Sequence, residues 1–211
     1  RQRQDVYKRQ MVLGVPDFDA VMPVLHAFQA KIDLTAFEFF GELAMQKVLA
    51  HGHVQRPFET ECPFYVLLEF EAPFEPIMDK AMEIFEHCME QGWVLDGVLS
   101  QSLDQVESLW RLREDISESI APFTPYKNDI SVLITHVPAF IKEIDAIVAS
   151  NYPDFEICWF GHIGDGNLHL NILKPADLSK DEFFAKCQVV NKYVFETCLL
   201  YTSPSPRDRQ K

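Results

Sequence analysis

The sequence predicts an α+β fold, a mostly antiparallel, ferredoxin-like sheet covered by helices on one face. Three observations lead to it. Behind two leading helices, strand-like and helical segments follow in the order β-α-β-α-β-α-β-β. No strand-like segment ends in a glycine-rich phosphate loop, which sets aside a doubly wound parallel sheet. The Gly164-Asp165-Gly166 triplet lacks G-x-G-x-x-G spacing and falls between two strands. Finally, Asp165-Gly166 between two alternating apolar runs is a hairpin signal, and hairpins join antiparallel neighbours.

The elements follow in chain order. Residues 18–31 (FDAVMPVLHAFQAK) read as a helix interrupted by Pro23, and a second helix is expected from Leu34 to about Ala50. The apolar, aromatic-rich run at 64–72 reads as a strand. Pro76 suits a first helical turn, and Ile77, Ala81, Ile84, Phe85 and Cys88 keep helical spacing as far as Gly92, a C-terminal cap. WVLDGVLS at 93–100 is a strand. Ser102 with Gln105 three residues on is a capping box, opening a helix that runs to about Ile120. YKNDISVLITH at 126–136 is strand-like, Pro138 opens a helix with Ile141, Ile144, Ile147 and Val148 on its apolar face, residues 156–173 form the hairpin, and 181–197 a last helix.

Composition bounds the function. The 211 residues are 47% hydrophobic and 24% charged, ordinary for a soluble globular chain, with no apolar run near the ~18 residues a spanning helix needs. A net charge of −13 argues against a nucleic-acid backbone as partner. Cys62, Cys88, Cys158, Cys187 and Cys198 show no CxxC spacing, which fits a reducing, cytoplasmic compartment. The ends, residues 1–10 (RQRQDVYKRQ) and 201–211 (YTSPSPRDRQK), lack apolar periodicity and resemble translated sequencing-adapter read-through. They are expected to be non-native tails, and Cys198–Leu200 to belong to the same scar. They hold seven of the 19 Lys and Arg and two of the 32 Asp and Glu, so the interior carries −18.

The densest chemistry lies in CWFGHIGDGNLHLNILKP, residues 158–175. With Asp165-Gly166 as the two turn residues, Gly164 faces Asn167, Ile163 faces Leu168 and His162 faces His169. Facing residues share a sheet face, with Cβ atoms roughly 4.5–5.5 Å apart. Two imidazoles so placed can converge on one metal at about 2.0–2.1 Å per Zn–N bond, and Asn171 returns to the same face. The pairing is sensitive to register. The alternative is a pair of hydrogen-bonding histidines that stabilise the turn. A catalytic zinc takes three protein ligands; the third is Asp129, another interior carboxylate, or a residue beyond position 200.

Arg113 falls inside the apolar stripe Leu103, Val106, Leu109, Trp110, Ile116 and Ile120, with Ser117 at i+4 on the same face. A guanidinium pointed inward needs an anion, and its fork matches a carboxylate; alternatively it snorkels outward or pairs with an acidic side chain. In residues 126–136, Ile130, Val132 and Ile134 take one face while Lys127, Asp129 and Ser131 take the other, which read alone is a solvated edge. Together Arg113, Ser117, Lys127, His162, His169 and Asn171 would make a local cationic pocket for a small carboxylate. His26, His51, His53, His87 and His136 lack paired spacing and are expected in surface or core roles, and the 17 Phe in core and interdomain contacts.

SLWRLREDIS, PYKNDIS and WFGHIGDGNLHLNILKP, in this order and spacing, resemble the C-terminal substrate domain of FAD-linked 2-hydroxy acid dehydrogenases, of the vanillyl-alcohol oxidase fold group, across residues 11–197. With TAFEFF and EQGWVLDGV included, the run is most similar to the family's bacterial branch acting on D-2-hydroxyglutarate. The resemblance implies that His162 and His169 are metal ligands for a divalent ion, commonly zinc, that Asn171, Arg113 and Lys127 hold substrate, and that Ser117 stands where some members have an assisting threonine. It also implies FAD, bound mainly by an N-terminal domain absent here, an unidentified electron acceptor and a possible homodimer. The family's Glu-His pair after the last helix, its third ligand and base, is absent, so no catalytic residue is assigned and the piece is expected to be inactive alone. D-lactate and glycolate enzymes of the family are alternatives, and a non-catalytic, small-acid-binding ferredoxin-like module is the alternative of another class.

Overall fold

In the computed structural model, which describes residues 7–202, seven strands form one antiparallel sheet. In chain order the elements are β1 (Lys8–Val15), α1 (Val21–Gln29), β2 (Leu34–Gly41), α2 (Glu42–His51), β3 (Phe64–Glu71), α3 (Glu75–Glu90), β4 (Asp96–Leu99), α4 (Leu103–Glu114), α5 (Ile116–Ser119), β5 (Tyr126–Ser131), α6 (Val137–Asn151), β6 (Glu156–His162), β7 (Asn167–Leu173) and α7 (Lys180–Thr202). The sheet order is β4-β1-β3-β2-β6-β7-β5. Its first four strands have the ferredoxin-like order, built from two β-α-β crossings. The last three form a second unit, joined to the first where β2 pairs with β6 through Glu38↔His162, Phe39↔Gly161 and Phe40↔Phe160.

Strand alternation sorts the core into two layers. One face carries Met11, Leu13, Phe37, Phe39, Leu68, Leu168 and Leu170 under α1, α3, α6 and α7, whose stripes include Val24, Phe28, Ile84, Phe140, Ile144 and Phe183. The opposite face carries Val12, Phe40, Leu67, Cys158 and Phe160, and there α2, α4 and α5 contribute Met45, Val48, Leu109, Leu112 and Ile116. Helices on a single face are therefore an incomplete description. The first face packs under helices, whereas on the second the edge strand β5 presents Lys127, Asp129 and Ser131 as exposed residues. That uncovered stretch is where the site lies.

Most expected elements are present. Pro76 and Pro138 sit in the first turns of α3 and α6, Gly92 follows α3 with φ +73°, and Ser102 Oγ accepts from the Gln105 amide 3.2 Å away. The expected helix from Leu34 is wrong in its first half: Leu34–Gly41 is β2. Phe37 and Phe39 enter one core and Phe40 the other, so burial on both faces erases the alternation that marks a strand. β1 was hidden similarly, because Met11–Val15 is a continuous buried run. The expected tail boundaries fall inside elements. Lys8, Arg9 and Gln10 pair with Glu71, Phe70 and Glu69, and α7 passes through Cys198–Leu200 to Thr202; residues 1–6 and 203–211 lie outside the described residues.

The hairpin register also differs from the expected one. His162 faces Asn167, and His169 faces Phe160. The connection is four residues, Ile163–Gly166, rather than the Asp165-Gly166 dipeptide. Ile163 is fully buried and begins a 3-10 turn closed by the Gly166 amide on the Ile163 carbonyl at 3.1 Å. Gly166 has φ +69°, and its carbonyl accepts from the Val132 amide at 3.1 Å. Burying Ile163 thus lengthens the turn and shifts the ladder by two. An even shift preserves the faces, so His162 and His169 become diagonal neighbours on one face.

Candidate functional site

Arg113 reaches the site from the last turn of α4. The helix is held by a buried polar anchor, since Trp110 Nε1 donates to Glu69 Oε2 at 2.8 Å, one turn before Arg113. Glu69 also accepts from Gln10 and Thr35 and pairs with Lys8. Burial alone would raise its carboxyl, but these donors bring it below the ordinary range. Placed in this way, Arg113 points inward along the interrupted apolar stripe and pairs with an acidic side chain of the chain itself, the second of the two readings of that stripe. Its Nε lies 3.0 Å from Glu38 Oε2, and its guanidinium carbon stands 4.7 Å from the centre of the Phe160 ring. Burial draws the guanidinium pKa down, with the Glu38 charge acting against it.

Glu38 is the centre of this arrangement. It is 5% exposed, and its other oxygen, Oε1, lies 2.6 Å from His162 Nδ1. On the far side of that ring, Nε2 is 3.4 Å from Arg113 Nη2. The His169 ring stands 5.7 Å from the His162 ring, T-shaped at 77°, and 4.8 Å from Phe160. Its Nδ1 is 2.6 Å from Asp129 Oδ1, a carboxylate directly opposite on β5. The next pair along this face is Lys127 opposite Asn171. Asn171 is buried, donating from Nδ2 to the Cys158 carbonyl at 3.4 Å, whereas Lys127 is exposed.

The structure therefore brings Arg113, His162 and His169 together, with Asn171 and Lys127 on the same face. Ser117 does not join them. The helix breaks at Asp115, and Ser117 lies exposed on α5 with no hydrogen bond to the cluster among the described residues. Asp129 is correspondingly placed behind His169, at Nδ1, rather than beside Nε2 as a third ligand. Glu38 is the residue sequence reasoning missed. Its signal was present, a lone carboxylate inside the aromatic run TAFEFF, but its partners lie 75 and 124 positions away.

The donor set can be tested against a divalent metal. Both histidines have Nδ1 engaged by a carboxylate and leave Nε2 as the donor, which fits half of a metal site. Among the described residues no group of three or more His, Cys, Asp or Glu is placed to hold a metal ion. Also among these residues, no helix is long and apolar enough to cross a membrane.

The model of a protein family described as FAD linked oxidases, C-terminal domain, matches residues 5–196. The chain is 66% identical over 200 residues to a D-2-hydroxyglutarate dehydrogenase of Stutzerimonas stutzeri (strain A1501), covering 95% of this chain and 43% of that one. It is 54% identical over 182 residues to a D-2-hydroxyglutarate dehydrogenase of Xanthomonas citri pv. viticola, covering 86% and 38%. Among solved structures, p-cresol methylhydroxylase with substrate bound superposes with a TM-score of 0.56 at 7% identity, covering 90% of this chain and 43% of that one. Alkyldihydroxyacetonephosphate synthase gives 0.55 at 11%, covering 90% and 38%. At such identities these two show the fold alone. The chain spans less than half the length of the curated relatives it matches.

Proposed function

Because the chain belongs to the FAD linked oxidases, as their C-terminal domain, we propose that it is the substrate-holding part of an FAD-dependent D-2-hydroxy acid dehydrogenase. The substrate we assign is D-2-hydroxyglutarate, oxidised to 2-oxoglutarate. One observation carries the reading: Arg113, His162 and His169 converge on an uncovered sheet face beside the Lys127–Asn171 pair, in a chain 66% identical to a D-2-hydroxyglutarate dehydrogenase.

The chemistry divides between this chain and the rest of the enzyme. Oxidation removes a hydride from C2 and a proton from the 2-hydroxyl, and FAD, when bound, supplies the hydride acceptor. Arg113 spends Nε on Glu38 and turns Nη2 toward His162 Nε2, and keeps Nη1 and the second Nη2 hydrogen for a substrate carboxylate. Lys127 adds a second positive charge, and the buried Asn171 amide fixes orientation. His162 and His169 would hold a divalent ion, zinc for two imidazole donors, whose contribution is to acidify the substrate hydroxyl. No residue of this chain is given the base role; we assign it, with the third metal ligand, to the longer protein. Five free cysteines, four of them buried, suit a reducing cytoplasm.

The test replaces the matched segment of the Stutzerimonas stutzeri relative with residues 5–196 of this chain and follows dye reduction by the chimera. D-2-hydroxyglutarate should be oxidised in preference to D-lactate, with activity lost on chelation and regained with zinc. Faster turnover of D-lactate would remove the substrate assignment. Indifference to chelation would leave His162 and His169 as hydrogen-bonding groups only.

A further inference from the structure

We infer that Glu38 and Asp129 are positioning residues that hold His162 and His169 in one tautomer, hydrogen on Nδ1, so that both rings keep their lone pair on Nε2. That a divalent cation takes these lone pairs rests on the reading proposed above; the tautomers rest on the geometry of the chain alone.

Each histidine has its carboxylate as a directly opposed ladder partner, Glu38 across from His162 on β2 and Asp129 across from His169 on β5. Both Nδ1–carboxylate distances are 2.6 Å. An ionised carboxylate only accepts, so each contact places the hydrogen on Nδ1. For His162 a second contact leads to the same result independently. Arg113 Nη2, 3.4 Å from Nε2, has no acceptor to offer, so the contact is satisfied only if Nε2 carries a lone pair. Carboxylates behind metal-bound imidazoles set ring orientation and tautomer in this manner.

The two supports differ in strength. Glu38 is 5% exposed and is itself fixed by Arg113, whereas the Asp129 side chain is 79% exposed and screened by solvent. The Nδ1 support of His162 is thus the firmer of the two. Substituting Glu38 by Gln does more than weaken its contact. Gln has one oxygen, and Arg113 Nε claims it; the amide NH2 is then left facing His162 Nδ1. The amide then favours acceptance at Nδ1 while Arg113 Nη2 still favours a lone pair on Nε2, so the single tautomer gives way to a mixture, and the fraction with hydrogen on Nε2 cannot bind a metal.

The experiment is long-range 1H–15N correlation on the 15N-histidine-labelled, metal-free 211-residue chain at about pH 8, above the ordinary histidine range, with zinc competition titrations in parallel. In the unsubstituted chain both rings should show a pyrrole-like Nδ1 and a pyridine-like Nε2. Glu38→Gln should turn the His162 pattern into a mixture of tautomers and leave His169 unchanged. Asp129→Asn, at an exposed position where misfolding is not at issue, should release His169 into a mixture, and Asp129→Glu should restore it. Zinc affinity should fall roughly 10–100-fold in the Gln and Asn variants. Hydrogen on Nε2 of either unsubstituted ring, or a His169 pattern unmoved by Asp129→Asn, overturns the inference. Correct tautomers in a chain that binds no zinc would support it and remove the metal reading instead.

Discussion

Glu38 and His162 stand directly opposite one another across the β2–β6 ladder, with carboxylate oxygen and Nδ1 2.6 Å apart, and the same carboxylate holds Arg113 from the helix above. One buried acid thus serves a histidine and an arginine that meet again on the far side of the imidazole. The stability of the sheet and the aim of the site depend on the same group.

Removing Arg113 should expose that dependence. Arg113→Ala leaves Glu38 buried without its cation and should cost about 3–5 kcal/mol. The double variant Glu38→Gln/Arg113→Gln removes both charges and should be destabilised by less than the sum of its single changes. Urea unfolding monitored by tryptophan fluorescence gives the comparison, and strict additivity would show that the pair is not coupled.

The hairpin turn offers a matched pair of glycines. A Cβ on Gly166 would lie 2.1 Å from the Val132 carbonyl oxygen at φ +69°, whereas one on Gly164 meets nothing within 4 Å. Gly166→Ala should therefore cost more than the roughly 1–2 kcal/mol of left-handed backbone strain alone. Gly164→Ala should stay within about 0.5 kcal/mol of the parent. Equal midpoints in thermal unfolding would contradict the turn described.

Much of this turn was readable beforehand, because Asp-Gly between alternating runs needs only local information. Its register was not, since that depends on Ile163 entering a core made by distant elements. Arg113 could be read because it breaks a helical stripe, and Lys127 and Asp129 because they alternate with Ile130. β2 could not: its phenylalanines serve two cores, and a strand buried on both faces loses its period. Glu38 was lost with it, as a carboxylate's role is set by strands that only folding brings near.

Acid should weaken the protein through Glu42 and Glu69. Burial pushes both carboxyls up, but hydrogen bonds, led by Arg56 for Glu42 and Trp110 for Glu69, leave each below the ordinary 4.5. A carboxyl lowered on folding contributes stability that is complete above the unfolded value and lost as pH falls through the folded one. Unfolding free energy should therefore decline below about pH 4.5, and Glu69→Gln should flatten that decline. An unchanged slope would mean that Glu69 is not stabilised by its donors.

The cysteines should be unreactive in the folded chain. Burial raises Cys88 to about 11 and Cys158 and Cys187 to about 12, and lifts Cys62 as well. Because the thiolate is the reactive form, a disulfide reagent at about pH 8 should label these four only after denaturant is added. Rapid native labelling of Cys158 would contradict its placement under α2.

Substrate affinity should respond to Lys127 without a change in fold. The side chain is exposed, and no acidic group pairs with it among the described residues. In the chimera, Lys127→Ala should raise KM for D-2-hydroxyglutarate roughly tenfold or more, the loss of a charge-assisted hydrogen bond worth about 1.5–3 kcal/mol. Unaltered KM would place Lys127 outside the site.

The seam between β2 and β6 is only three residue pairs long, yet the site lies across it. Glu38 and Arg113 belong to the amino-terminal unit; His162, His169, Asp129, Lys127 and Asn171 belong to the other. A cut between Thr124 and Pro125 would leave two fragments, neither holding a complete set of ligand groups. Recovery of cation or carboxylate binding on mixing them would report their complementation, so the site doubles as a sensor of whether the halves have found each other.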